Sequence, residues 1–472
     1  MDPEIPDPGS ATAIETSSKA DHLCVLVHGL WGNPSHMGTI ASALRKRYDE
    51  NQLHILAAEC NTGNLTYDGI EVCGERLAQE IEETLSKLET DGHKIQKLSV
   101  VGYSLGGLIS RYAIGLLFAR GWLDDGKLEP VNFTTFASPH LGARAPVRGA
   151  QNLLFNGLGS RTISTSGKQM FLADTFQGTG KPLLSALADP DNIFIEGLKR
   201  FRNRCVYGNV VNDRTTAFYT TTFSSEDHFR DLGNLNINYL EGYAPVVIDP
   251  DVYILPITEQ KERPRFPSRA WQSIRSFFRK LPFWLFFCLI LVIAIPIFLV
   301  YSVRETFRSR ERIREHEEGT GSTFRSYRVP RGLRRIQTAM DEVFENAAAR
   351  QDPDYIPPSV APTDVESQAG SPIYKPETQT DSPSTTSGAE NSTDNATQVK
   401  KARCGVRSPT LALTPDQFSM IKSLNAVGFR KYPVYIHNHE RTHAAIVVRA
   451  DDPGYAEGHT VIKHWLDQEF KI

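Results

Sequence analysis

The sequence predicts an α/β protein built on a doubly wound, mostly parallel sheet. Three observations carry this expectation. Short continuous apolar runs recur through the first half of the chain, helix-patterned stretches alternate with them, and one run ends in the glycine-flanked turn Gly102-Tyr103-Ser104-Leu105-Gly106. Apolar runs of this length suit strands buried on both faces, and strand–helix alternation suits parallel pairing through crossover helices.

The strand-like runs are His22–His28, His54–Cys60, Lys97–Tyr103, Asn132–Ser138 and Cys205–Asn212. The clearest helix covers Gly69–Asp91, where Leu77, Ile81, Leu85 and Leu88 fall at helical spacing with Glu and Lys opposite.

Composition narrows the function. The chain has 472 residues and a net charge of −3, so no global basic field points to a nucleic-acid partner. The six cysteines are scattered without a Cys-x-x-Cys pair, which fits reduced thiols in a cytosolic compartment. Residues 1–20 are polar and acidic, without an apolar core of signal-peptide length, and read as a disordered tail. The sequons at Asn64, Asn132, Asn391 and Asn395 are accordingly read as chance matches. Residues 21–255 carry the alternating pattern. Residues 256–350 form an insert holding the longest apolar run, 281–301. Residues 351–403 are rich in Pro, Ser, Thr and acidic residues, and bury too little apolar surface to offset ordering entropy, so they read as a disordered linker. Residues 404–472 regain globular composition.

The turn around Ser104 has the context of a nucleophile elbow. A strand precedes it and the helix-compatible run LGGLISRYAIGLLFA follows. Gly102, Gly106 and Gly107 leave the room that a strained turn needs. This points to the α/β-hydrolase fold, with Ser104 as nucleophile. Acyl transfer also needs preorganised N–H donors for the oxyanion. The elbow offers Leu105, and the turn His28-Gly29-Leu30-Trp31-Gly32 after the first strand offers Leu30. His28 is expected to shape that turn rather than titrate.

On this fold the acid and base follow the serine in the order Asp, His. Asp213 sits just past an apolar strand, whereas Asp174, Asp189 and Asp191 lie in a stretch without strand character. His140 precedes any suitable Asp and reads as structural. Spacing does not choose between His228, in the polar run SSEDHF, and His443, which lies between YPVYIH and AAIVV.

The segments HLCVLVHGLWG, VVGYSLGGLISRY, FASPHLG, YGNVVNDRT and THAAIVVR together resemble the DUF676 family of serine esterases. The members they most resemble are fungal lipid-droplet phospholipases. The resemblance covers about 21–250 and 405–472, and it implies a triad of Ser104, Asp213 and His443. It also points to a lipid substrate, and acyl transfer by such a triad needs no metal or organic cofactor.

A rival motif is His439-Glu440-Arg441-Thr442-His443, which matches His-Glu-x-x-His. In a zinc protease that spacing puts two imidazoles on one helix face, with Glu as base. Here a strand-like YPVYIH precedes it and a β-branched AIVV follows. Ile446 and Arg449 occupy the positions of a third ligand.

Leu281–Tyr301 carries no charge, is long enough to reach across a bilayer core, and has arginines on both flanks. Trp271, Ile274, Phe277 and Phe278 extend an apolar face upstream, as in an interfacial helix. Ser104 and Asp213 precede this segment while His443 follows it. One simple crossing would therefore separate the base from the nucleophile. The expectation is an interfacial segment or a shallow hairpin broken near Pro296, on the endoplasmic reticulum or a lipid-droplet monolayer, with the catalytic domain facing the cytosol. Residues 146–201 read either as a cap, with Phe155, Met170, Phe171 and Phe176 available to line an acyl pocket, or as ordinary core or surface helices. The reading is a serine lipase or phospholipase, and the alternative is a catalytically silent membrane tether.

Overall fold

The computed structural model describes residues 20–146, 156, 164–213, 216–230, 232–256, 300–318, 354–356 and 408–472. The tail through residue 19, the apolar sequence 281–299, Phe155 and nearly all of the expected linker lie outside the described residues.

Six strands form the main sheet, all parallel: β1 (His22–Val27), β2 (His54–Ala57), β3 (Lys97–Tyr103), β4 (Glu129–Phe136), β5 (Asn203–Asn209) and, after a two-stranded ribbon of β6 (Asn236–Ile237) and β7 (Ile254–Leu255), β8 (Arg430–Val434). Their spatial order is β2-β1-β3-β4-β5-β8. Order and direction require crossovers on both faces, and the side chains show them. Along β1, Leu23, Val25 and Val27 point into one apolar layer, and Cys24 and Leu26 into the other. This is the period of two of a strand covered on both sides.

The first layer holds α2 (Ile70–Thr90) and α3 (Leu105–Ala119), with Leu77, Ile81 and Leu85 of α2 buried as their spacing predicted. The second holds α1 (Gly38–Arg47) and the C-terminal helix Ala456–His464, closed by Trp465. Trp465 is fully buried and its indole N–H donates to Thr134 Oγ1 at 3.0 Å, so its large apolar surface enters the core without an orphaned donor.

The expected α/β class is borne out, and the predicted strands fall within a few residues of the observed ones. Two details differ. The β-branched AIVV after His443 is not strand-like, because Thr442–Ala445 is a helical turn and 446–448 continue as turn. Thr442 Oγ1 donates to Val211 O and Tyr103 OH donates to His443 O, and these contacts outweigh the β propensity of the residues that follow. Residues 354–356, inside the expected linker, are ordered against the body. Tyr355 bridges Leu411, its hydroxyl donates to Asp227, and Arg230 stacks on its ring. A single aromatic anchor supplies burial that the surrounding composition lacks. The candidate cap residues Met170, Phe171 and Phe176 are buried in the α2–α3 layer, among Leu184 and Phe194, and serve the core there.

Four of the cysteines, Cys24, Cys60, Cys73 and Cys205, are buried and unbridged. Asn64 and Asn132 are buried, which removes both sequons from solvent. Among the described residues no helix is long and apolar enough to cross a membrane.

Candidate active site

The carboxyl ends of three central strands meet at Ser104. β3 ends at Tyr103, Ser104 turns the chain and α3 begins at Leu105. Ser104 has φ 55° and ψ −127°, a conformation that side chains rarely adopt and that costs about 1–3 kcal/mol. The strain is held by packing. Ser104 N–H donates to Phe136 O of β4 at 3.0 Å. A Cβ on Gly106 would lie 2.5 Å from His28 O, so only glycine lets the start of α3 approach the end of β1 this closely.

Ser104 Oγ lies 3.0 Å from His443 Nε2, and His443 Nδ1 lies 3.0 Å from Asp213 Oδ2. Asp213 follows β5 and His443 follows β8, neighbouring strands of the sheet. Two segments 230 residues apart in sequence thereby converge on the serine. Asp213 and His443 are buried, 8% and 6% exposed, and Ser104 is half-buried.

The acid is held as a carboxylate. Burial pushes its pKa up, but His443 beside it, the Asn209 amide and the Thr216 N–H outweigh burial and bring it below the ordinary value. Asn209 Nδ2 donates to Oδ2 at 2.9 Å and Thr216 N–H to Oδ1 at 2.8 Å. Thr216 Oγ1 also lies 3.1 Å from His443 Nδ1. With Nδ1–H directed at this carboxylate, Nε2 is left as the acceptor facing Ser104.

The first-strand turn lies directly against the serine. A Cβ on Gly29 would sit 2.7 Å from Ser104 Cβ. Gly32 N–H donates to Gly29 O at 3.0 Å, and His28 Nδ1–H donates to the same carbonyl at 3.0 Å. Burial holds His28 neutral, its pKa lowered to about 4. Among the described residues neither the Leu30 nor the Leu105 N–H has an acceptor.

The other candidates go elsewhere. His140 pairs with Thr135 Oγ1 at 2.9 Å, and burial puts its pKa well below the usual value. His228 Nδ1 pairs with Ser408 Oγ at 2.8 Å. Asp174 accepts the Leu183 N–H, and Asp189 accepts the Asp191 N–H. The His-Glu-x-x-His residues do not share a helix, since the helical turn starts at Thr442. His439 meets the Tyr455 ring edge-on and accepts the Arg441 N–H. Among the described residues no cluster of three or more His, Cys, Asp or Glu could hold a metal ion.

Asn209, Thr216 and Tyr103 escape a sequence reading. Asn209 and Thr216 flank Asp213 in YGNVVNDRTT, so proximity was visible, but their side-chain direction was not.

Parallel sheet, nucleophile elbow and aligned Ser–His–Asp geometry define an α/β-hydrolase. Within that class, residues 17–226 match the family model described as "Putative serine esterase (DUF676)", in agreement with the resemblance of the motifs. The matched stretch includes Ser104 and Asp213, while His443 lies beyond it. "Putative lipase ROG1" of Saccharomyces cerevisiae is 34% identical over 221 residues, 46% of this chain and 30% of that protein. "Putative lipase YDL109C" of the same yeast is 30% identical over 214 residues, 45% of this chain and 31% of that protein. The alignments thus span less than a third of those relatives' length. Among solved structures, phospholipase PlaB from Legionella pneumophila is similar over 44% of this chain and 42% of that one, at 14% identity and a TM-score of 0.25. A lipase-esterase related protein from Clostridium acetobutylicum is similar over 43% and 80%, at 13% identity and a TM-score of 0.23.

Proposed function

We propose that this protein is a serine lipase or phospholipase, hydrolysing acyl esters of glycerolipids or phospholipids at a membrane or lipid-droplet surface, with its catalytic domain facing the cytosol. The observation that carries the reading is the chain of 3.0 Å contacts from Ser104 Oγ through His443 to Asp213.

Ser104 Oγ attacks the ester carbonyl while His443 Nε2 takes its proton. Asp213, buried and ionised, orients the imidazole and stabilises the imidazolium that forms. The carbonyl oxygen becomes an oxyanion and receives the Leu30 and Leu105 N–H groups. Collapse of the intermediate expels the alcohol, which takes its proton from Nε2. A water then attacks the acyl-enzyme by the same route, releasing the fatty acid and restoring Ser104. These residues complete the reaction by themselves.

The names of the yeast relatives and the uncharged sequence at 281–301 favour a lipid ester over a soluble one. The parallel pairing of β5 with β8 joins chain from before and after that segment in one sheet. This supports a segment whose two ends lie on the same side of the membrane, as an interfacial stretch or hairpin.

The test is covalent labelling of the full-length protein by a fluorophosphonate probe, followed by hydrolysis of a defined lipid panel. Labelling and fatty-acid release that vanish in Ser104→Ala are the expected result. An unlabelled wild type that still binds vesicles would replace this reading with a silent tether.

A further inference from the structure

A helix resting on a globular domain normally buries its apolar stripe and turns its polar face outward. The helical residues 300–317 do the reverse. Ser302, Glu305 and Ser309 are buried, while Val300, Val303 and Phe307 are 70%, 56% and 64% exposed. The spacing 300, 303, 307 makes one outward stripe, and 302, 305, 309, 312 make the inward one.

The inward stripe is keyed to the domain by charge. Arg312 donates to Asp68 through Nε and Nη2, at 3.0 and 2.7 Å, to Glu305 at 3.2 Å, and to Asn64 O at 3.3 Å. Tyr301 OH accepts from Asn64 at 2.6 Å, and His316 pairs with Glu75 at 2.6 Å. Asp68 is fully buried and also holds Arg76 at 2.8 Å. Such contacts are directional, so they fix which face of the helix looks out.

The docking segment also braces the active-site turn. Gly63 N–H donates to Gly32 O at 2.8 Å, and Trp31 N–H donates to Thr66 Oγ1 at 3.1 Å, on either side of Asn64 and next to Leu30. The helix is therefore coupled to the turn that faces Ser104.

We propose that the outward stripe Val300, Val303 and Phe307 seats in the headgroup–acyl boundary of a lipid surface, and that the Arg312–Asp68 lock sets the active site at that surface. Lipid is the occupant for two reasons. The uncharged sequence 281–299 runs directly into Val300, so the stripe continues an apolar stretch already long enough for a bilayer. Arg304 and Arg308 border the stripe, placed to meet anionic headgroups. The proposal rests on the membrane-surface reading above and names the residues that meet the lipid.

The test uses the full-length protein with phosphatidylcholine–phosphatidylserine vesicles. In Phe307→Trp, the fluorescence added over wild type should be quenched by brominated phosphatidylcholine. In Val303→Asp with Phe307→Asp, hydrolysis of vesicle lipid should fall roughly tenfold, as expected for losing two partly buried apolar groups at an interface. Hydrolysis of a soluble short-chain ester should be unchanged in both. Vesicle-bound Phe307→Trp protein whose added fluorescence escapes quenching overturns the proposal, as does equal vesicle activity in the double variant. Absence of soluble-ester hydrolysis in wild type would instead remove the hydrolase reading, and the quenching result would still stand by itself.

Discussion

Two buried carboxylates can be set side by side. Asp213 faces an imidazole through one N–H, helped by Asn209 and Thr216. Asp68 lies between two guanidinium groups, Arg76 and Arg312. Both are buried, so both need donors in place of the water they have lost. The partners differ in what they can do next. An imidazole gains and loses a proton near neutral pH, whereas a guanidinium stays protonated. Burial works against the Arg312 charge, but Asp68 and Glu305 outweigh it and raise its pKa further. One carboxylate is paired with a group that can pass a proton, and the other with groups that stay charged and tie two segments together.

The comparison is broken most severely by neutralising Asp213. Asp213→Asn should leave the fold intact and lower kcat roughly 10⁴-fold, because the amide no longer holds the productive tautomer or stabilises the imidazolium. Circular dichroism alongside ester hydrolysis checks both halves. The equivalent change at Asp68 should act on stability. Asp68→Ala leaves Arg76 buried and Arg312 half-buried without their carboxylate, and should cost about 3–5 kcal/mol in a denaturant titration. If soluble-ester activity of the folded variant fell as far as in Asp213→Asn, the division between the two carboxylates would fail.

Acid separates the regions further. His22, His28, His228 and His464 are buried neutral, each with its pKa lowered from 6.5 to about 4, burial being the main cause. Between these values the unfolded chain binds protons that the folded one refuses. Stability should then be level above pH 6.5 and fall as pH drops from 6.5 towards 4. Thermal midpoints across that range should decline, and a flat profile would contradict the burial of these rings. The smallest expected effect is at Thr216. Thr216→Val keeps the N–H on Asp213 but removes the hydroxyl beside His443 Nδ1, and should lower kcat by about tenfold, the equivalent of one net hydrogen bond.

The Ser104 elbow was legible because its requirements are local. A strand, a glycine-flanked turn and a helix follow one another within about twenty residues, and steric need dictates the glycines. The sheet was legible for the same reason, since doubly covered strands must be continuously apolar. The helix Pro415–Val427 could also have been read. Thr414 and Gln417 form a capping box, Pro415 opens the helix and Gly428 closes it in a left-handed conformation. The direction of Arg312 was hidden. Its neighbours Arg304, Arg308 and Arg310 read as one basic flank, and only the docked helix sorts Arg312 inward from the exposed three.

The sequence by itself determined the class of fold and the strained serine, since each follows from sterics and polarity over a few neighbouring residues. Tertiary structure decided the partner of that serine. His228 and His443 were equal by spacing, and the parallel pairing of β8 with β5 brings only His443 to Ser104. It also decided which way the helix at 300–317 faces. A helical pattern states which residues share a face, but the buried carboxylate of Asp68 selects the face that turns inward.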